Sequence, residues 1–211
     1  MARRTKQDAD ATRNALLDAA ELVFYEKGVA RASLNEIAQA AGATRGAIYW
    51  HFKDKVDLFN AMMDRVTLPL EGACNTGQAL CEQAPLRRLR SVLGRLLGSI
   101  ESDARTRRVF EIAMYRVEYV SELSGVRERH LAAHARFQAL LEQDLRLAAR
   151  QAALTLPMSA AAAARGLHAM FDGLLQSWIL GGAHFNLRAT GLPAVDAYLR
   201  GLGFAALPAV Q

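Results

Sequence analysis

The chain has 211 residues, 52% of them hydrophobic, and a formal net charge of +5 at pH 7. This length allows one large domain or two small ones, each with a filled core. No apolar run approaches the roughly eighteen residues of a membrane span. The basic start Met1–Lys6 also lacks the apolar stretch of a secretory signal. We therefore expect a cytoplasmic protein with no membrane partner.

The charge and the two cysteines restrict the possible class of protein only a little. Up to Lys55, nine lysines and arginines stand against seven acidic residues. The surplus is small, so any nucleic-acid footprint depends on where the charges lie. Cys74 and Cys81 match no metal or redox spacing. On one helix they would share a face, which favours small core residues over reactive thiols.

Apolar residues recur at helical spacing in nearly every segment, which predicts an all-α protein of about nine helices. Capping residues and prolines mark the starts of these helices. The predicted starts after the first helix are Ser33, Thr44, Asp54, Pro85, Asp103, about Val126, Ser159 and Pro193. The predicted ends are Gly28, Gly42, His51, about Ile100, about Tyr119, Arg150, Gly181–Gly182 and about Leu207. Ser33 and Glu36 together form a capping box.

Two short helices between Leu34 and His51 are joined by a tight turn, Gly42-Ala43-Thr44. Ala38 is small enough to let them cross closely, and Gly42 supplies the positive φ that a sharp turn needs. Ile37, Ala41 and Ile48 are predicted to point inward. The pattern is typical of a helix-turn-helix, whose second helix enters the major groove of DNA. We predict a DNA-binding domain over 1–55 and a second domain over 56–211.

The surface of the second helix suits contact with duplex DNA. Arg45 can donate two hydrogen bonds to a guanine, and small residues after it let the backbone approach the bases. Thr44 and the helix start suit a phosphate. The predicted DNA contacts are Ser33, Thr44, Arg45, Gly46, Ala47, Tyr49, His51 and Lys55. The alternatives are packing for Tyr49 and Trp50, a bridging role for His51 and a solvated charge for Lys53; the tail residues Arg3, Arg4 and Lys6 would add phosphate contacts.

The segment 34–55 closely resembles the DNA-binding region of TetR-family repressors, and is most similar to the AcrR-like regulators of multidrug efflux. Ala43 stands where that subgroup often has valine. Further similar segments are 2–6, 26–29, 104–108 with 111–112, 173–174 with Trp178, and 185–187. The resemblance implies that the first three helices read DNA, and that Thr44, Arg45, Tyr49, His51 and Lys55 occupy contact positions.

The resemblance also implies an effector pocket between about residues 55 and 180, for a small lipophilic or aromatic molecule. Methionine and aromatic side chains suit such a pocket, although most of them are expected to be core residues. The candidate ligand contacts are Met63, Val66, Leu93, Leu96, Phe110, Met114, Phe137, Met170, Asp172 and Gln176. Asp172 lies on an apolar helix, so it either pairs with Arg165 or His168 or faces the cavity.

The last two long helices carry broad apolar faces, with Leu167, Leu174, Trp178, Leu199 and Leu202 as predicted dimer contacts. Two such helices doubled by symmetry form a four-helix interface, as dimers of the resembled family do. A dimer presents two helix-turn-helix motifs, which predicts a roughly palindromic operator in double-stranded DNA.

These observations favour a homodimeric, ligand-responsive repressor of a multidrug efflux operon. The alternative within the family is a regulator of another operon that answers a lipid, a signal or a metabolite. An enzyme is not expected, because no nucleophile, base or metal cluster is evident, and a non-specific architectural DNA protein would be more basic. His130 and His134 lie one helical turn apart but lack an obvious third ligand, which favours a solvated face. We expect no cofactor and no metal.

Overall fold

A computed structural model describes residues 6–75, 84–118 and 120–207, with the side chains of 70–75 excepted. Arg3, Arg4, Cys81, Tyr119 and the Cys74 side chain therefore lie outside the described part. Within it the chain forms nine α-helices and a short 3-10 helix, Ser121–Leu123. The α-helices are α1 (Lys6–Lys27), α2 (Leu34–Ala40), α3 (Arg45–His51), α4 (Lys55–Asn75), α5 (Pro85–Ser102), α6 (Ala104–Tyr115), α7 (Ser124–Gln151), α8 (Ala160–Leu180) and α9 (Leu187–Gly201).

Local capping chemistry sets four of the helix starts at the predicted residues, one of which is the capping box of Ser33. The Thr44 hydroxyl accepts a hydrogen bond from the Ala47 amide at 3.2 Å. Asp54 Oδ1 accepts from the Asp57 amide at 2.8 Å. The Ser159 hydroxyl accepts from the Ala162 amide at 3.2 Å. Each cap satisfies an amide that the first turn of a helix leaves unpaired.

The predicted start of the last helix at Pro193 is wrong. Helix α9 begins six residues earlier, at Leu187, and Pro193 lies inside it. Asn186 Oδ1 accepts from the Ala189 amide at 2.6 Å and caps the first turn. Glu101 Oε1, on α5, accepts from the Leu187 amide at 2.8 Å. A side-chain cap and a tertiary carboxylate thus fix the start, and the proline removes one later helical hydrogen bond.

The chain divides into two compact units, the first of which comprises residues 1–68 and 105–130. Its core is built from α1, α2, α3 and the first part of α4, and it is completed by α6, the 3-10 helix Ser121–Leu123 and the start of α7. The buried residues that these later segments contribute are Val109, Ile112, Ala113, Leu123 and Val126. Helices α2 and α3 therefore share one hydrophobic core with residues about eighty positions further along the chain.

The second compact unit comprises residues 69–104 and 131–211. In it α9 packs tightly on α5 and α8. A side chain at Gly191 would come within 2.5 Å of Leu97 and 2.9 Å of Leu174, so any larger residue would force these leucine side chains to shift. Arg90 and Asp196 form a paired contact across the same helices, with Nε–Oδ1 at 2.6 Å and Nη2–Oδ2 at 2.8 Å.

No helix among the described residues is long and apolar enough to cross a membrane.

Candidate nucleic-acid interface

The predicted helix-turn-helix is present, and local geometry explains its turn. Gly42 has φ +64°, and a side chain there would meet no atom within 4 Å, so the backbone conformation alone requires glycine. The Ala43 amide donates to the Ala38 carbonyl at 2.8 Å and closes the end of α2. Ala38, at 2% exposure, lies where α2 and α3 meet, beside fully buried Ile37 and Ile48.

The outer face of α3 is exposed and carries a cation on an aromatic ring. The Arg45 guanidinium carbon lies 5.8 Å from the centre of the Tyr49 ring, and both side chains face solvent. This contact restrains a long side chain while leaving its donors directed outward. Gly46 is also exposed, and a side chain there would meet only the Thr44 hydroxyl, at 3.9 Å. The face can therefore come close to a groove.

Trp50 extends this exposed face beyond the residues predicted to contact DNA. Its side chain is 73% exposed, so the alternative that it packs in the core is wrong. The Trp50 and His51 rings meet edge to face with centroids 4.5 Å apart. Tyr49 is 49% exposed, which also argues against core packing. An exposed indole on α3 itself offers both an apolar surface and an N–H donor.

Ser33 serves first as a helix cap. Its hydroxyl accepts from the Glu36 amide at 3.2 Å, and its own amide donates to Glu36 Oε2 at 3.0 Å. Lys27 Nζ donates to Glu36 Oε1 at 2.7 Å. The hydrogen bond from Lys27, followed by those from Ser33, lowers the pKa of the Glu36 carboxyl to about 2. The predicted DNA contact by Ser33 would have to share a hydroxyl already engaged in the capping box.

Lys55 is bound within its own unit. Its ammonium donates to the carbonyl of Ala30 at 2.6 Å and to that of Ala32 at 3.0 Å. It thereby ties the start of α4 to the loop between α1 and α2. The same loop is held from the other side, because the Val29 amide donates to the Arg116 carbonyl at 2.8 Å. Lys55 therefore positions this loop, whatever contact it also makes with phosphate.

An ion-pair network around the buried carboxylate of Glu21, on α1, was not foreseen from the sequence. Glu21 is 3% exposed, and Oε1 lies 2.6 Å from Arg108 Nη1. Glu21 Oε2 lies 3.4 Å from both Arg65 Nη2 and Arg105 Nε. Asp18 Oδ1 binds Arg65 at 2.7 Å and Arg105 at 2.9 Å. The network fixes α1 to α4 and α6; the arginine-rich run 104–108 was its only signal in the sequence.

The candidate ligand contacts are divided between the two units. Val66 belongs to the core of the first, and Met63 and Phe110 pack against that core. Leu93 is fully buried in the second unit, whereas Gln176 is exposed. Those with intermediate burial are Leu96, Met114, Phe137, Met170 and Asp172. Their joint role in binding an effector stays a prediction.

Asp172 does pair with His168, one of the two partners considered for it. Oδ2 of the carboxylate lies 3.4 Å from Nε2 of His168. The Arg165 Nε instead donates to the Ala161 carbonyl at 3.3 Å. Burial lowers the pKa of His168, the charge of Asp172 opposes this, and His134 adds to the lowering.

Four of the five predicted dimer contacts are buried within the single chain. Leu167 and Leu199 are fully buried, Trp178 is 2% exposed and Leu202 is 3% exposed. The Trp178 indole also donates to the Phe185 carbonyl at 2.8 Å. Only Leu174 keeps intermediate burial. These four apolar side chains of α8 and α9 thus fill the core of one chain. A partner subunit would have to contact other side chains of the two helices.

The fold and the exposed face of α3 together define a helix-turn-helix DNA-binding protein. Two family models match: "Bacterial regulatory proteins, tetR family" over residues 16–62, and "MAATS-type transcriptional repressor, C-terminal region" over residues 84–204. The chain belongs to the TetR family of transcriptional repressors, which are DNA-binding regulators and not enzymes. The resemblance noted in the sequence is confirmed.

Within this family, the chain is similar to the following three proteins. The transcriptional regulator AcrR of Shigella flexneri is 35% identical over 89% of this chain and 87% of that protein. NalD, the secondary repressor of the MexAB-OprM multidrug efflux pump in Pseudomonas aeruginosa, is 37% identical, with a TM-score of 0.82 over 93% of this chain and 98% of that chain. SmeT, the Stenotrophomonas maltophilia efflux-pump repressor, in its triclosan complex is 31% identical, with a TM-score of 0.79 over 95% of this chain and 100% of that chain.

Proposed function

We propose that this protein is a homodimeric repressor of a multidrug efflux operon, acting in the cytoplasm on a palindromic operator and released by small lipophilic drugs. The observation that carries the proposal is the exposed Arg45–Tyr49 face of α3, in a chain similar over most of its length to two repressors of efflux pumps. One of them, SmeT, was solved with triclosan.

The mechanism requires that the reading helices respond to the rest of the chain. The buried carboxylate of Glu21 offers one physical link, because it joins α1 to arginines of α4 and α6. A shift of α4 or α6 would move Arg65 or Arg108 away from a carboxylate that has little access to water. An effector needs a differential affinity of only about 1.4 kcal/mol for the released state to weaken DNA binding tenfold.

The dimer in this proposal uses the outward side of α8. Gly173, Ser177 and Leu180 are exposed there, and Leu180 is 72% exposed. A side chain at Gly173 would meet nothing within 4 Å, so a partner helix has room to approach the backbone. Small residues and one large apolar residue on a helix suit antiparallel packing against a symmetric copy.

The test begins with a footprint of the purified protein on the DNA upstream of its own gene. A labelled duplex of the protected sequence then serves for anisotropy titration, with Arg45→Ala as the control that should lose sequence preference. Addition of triclosan and other lipophilic drugs should weaken operator binding at least tenfold. Release by long-chain fatty acids or acyl-thioesters, with no response to drugs, would instead assign the regulator to lipid metabolism and overturn the efflux proposal.

A further inference from the structure

Three potential metal ligands meet between α7 and α8, within the second compact unit. His134 lies on α7, and His168 and Asp172 lie one turn apart on α8. One ligand atom from each of the three lies within 4.8 Å of the other two. The ligands that join His134 therefore come from a helix distant in the sequence, and His130 is not part of the cluster.

The spacing of two of these ligand atoms, on His168 and Asp172, matches a small divalent cation. Zinc binds imidazole nitrogen at about 2.0–2.1 Å and carboxylate oxygen at about 2.0–2.2 Å, in tetrahedral geometry. Two such ligands on one ion are roughly 3.4 Å apart. Nε2 of His168 and Oδ2 of Asp172 are separated by 3.4 Å. The two atoms can therefore bind one ion with little movement of α8.

The surroundings hold the ligands in place. The His134 and His168 rings lie with centroids 4.6 Å apart. The Phe137 ring meets His168 edge to face at 5.0 Å, and Phe171 packs behind Phe137 at 5.9 Å. His168 is buried, at 5% exposure, while the Asp172 side chain is 26% exposed. An apolar shell on one side and access to water on the other suit a site with an open coordination position.

We propose that His134, His168 and Asp172 bind one divalent transition-metal ion, with Zn²⁺ as the best-fitting cation. Two imidazoles and one carboxylate form a donor set that suits transition-metal ions. Mg²⁺ and Ca²⁺ are less suited to it, because they take oxygen ligands. Three protein ligands leave a fourth position for water or for a donor atom of an effector. The bound ion would add a direct link between α7 and α8 to the ring contacts that Phe137 makes with His168 and Phe171.

The test uses untagged, metal-free, full-length protein without DNA, so its result is independent of the proposed repressor function. Zn²⁺ is titrated by calorimetry and by competition with a chelating dye, and Co²⁺ is used for its visible spectrum. The wild type should bind one ion per chain and unfold at a higher temperature with Zn²⁺ than without it. His134→Gln and Asp172→Asn should each weaken Zn²⁺ binding at least about tenfold. A change in a residue that only supports a metal ligand already costs about that much affinity, and loss of the ligand itself should cost no less.

Two matched controls separate this site from other ligands in the chain. His130→Gln, one turn before His134, should leave Zn²⁺ affinity unchanged, and so should the double variant Cys74→Ala, Cys81→Ala. Circular dichroism of each metal-free variant checks its fold, and the substitutions are placed at the partly exposed positions 134 and 172 rather than at buried His168. Absence of binding, binding that survives Asp172→Asn, or binding that is lost with His130 or the cysteines would overturn the proposal.

Discussion

The ammonium of Lys55 donates a hydrogen bond to the carbonyl oxygen of Ala30 at 2.6 Å, across twenty-five positions of the chain. The family resemblance places Lys55 at the DNA, whereas the fold also gives it an internal role. The loop 28–33 precedes α2, so its position sets where the first helix of the reading motif begins. A lysine that holds this loop can affect DNA binding without touching DNA.

Replacement of Lys55 by methionine should therefore lower stability as well as DNA affinity. Each hydrogen bond to a charged group contributes about 1.5–3 kcal/mol, and a second carbonyl, that of Ala32, also loses its donor. We expect urea denaturation to show a loss of about 2 kcal/mol. Lys53→Met, at an exposed lysine two residues earlier, is the control and should change little. Unchanged stability, with a shallower salt dependence of DNA binding, would show that Lys55 acts on phosphate alone.

Arg45→Ala should relax sequence preference without affecting the fold. The side chain is exposed, and its ring contact with Tyr49 is at the surface. A bidentate contact to guanine contributes about 1–3 kcal/mol of discrimination. For the Arg45→Ala protein, the affinities for the operator and for operators changed at the base pair that Arg45 contacts should become nearly equal. Arg45→Lys keeps the charge but loses the two-pronged geometry, and should behave like Arg45→Ala in discrimination. If discrimination persists in both variants, Arg45 does not read a base.

Glu21→Gln should be strongly destabilising. The carboxylate is 3% exposed and offsets the charge of Arg108, Arg65 and Arg105. Loss of one partner of a buried pair costs about 3–5 kcal/mol; because the arginines are partly exposed, we expect about 2–3 kcal/mol by chemical denaturation.

The control for Glu21 is Asp18→Asn, whose carboxylate binds two of the same arginines but is 50% exposed. It should cost less than about 1 kcal/mol. A double-mutant cycle between positions 21 and 108 should show a favourable coupling energy. Equal costs for the two single variants, or no coupling, would contradict a buried role for Glu21.

The Glu36 carboxyl should titrate near pH 2. Its pKa is lowered to about 2 from an ordinary 4.5, because Lys27 and Ser33 donate to the charged form. The folded state is therefore stabilised at pH values above about 4.5, and this contribution is lost as the pH falls from there through about 2. NMR titration of the side-chain carboxyl carbon measures the value, and Ser33→Ala should raise it. A titration near 4.5 in the wild type would mean that these hydrogen bonds do not persist in solution.

Leu180→Arg should convert the proposed dimer to a monomer. The side chain is 72% exposed at the end of α8, and a charge buried in an apolar contact is costly. Sedimentation velocity of both proteins measures the change. Leu22→Arg, at a leucine of α1 that is 51% exposed, is the matched control and should leave the dimer intact. A wild-type monomer, or a Leu180→Arg dimer, would remove α8 from the interface.

Features that depend on neighbouring residues were predictable from the sequence. The capping box of Ser33 and Glu36, the cap at Thr44 and the left-handed glycines at 28 and 42 all appear where the pattern places them. Each of these contacts closes a short loop, so the residues involved are set by spacing alone. Together they determine the helix-turn-helix and the outward direction of Arg45.

Packing between distant segments decided the rest. The arginines that surround Glu21 come from between 44 and 87 residues away, and His134 on one helix meets His168 on another. Whether Trp178 faces a partner or the core depends on which helix covers it, and the fold of a single chain covers it almost completely. Periodicity shows that a helix face is apolar, but only the tertiary structure shows which surface buries that face.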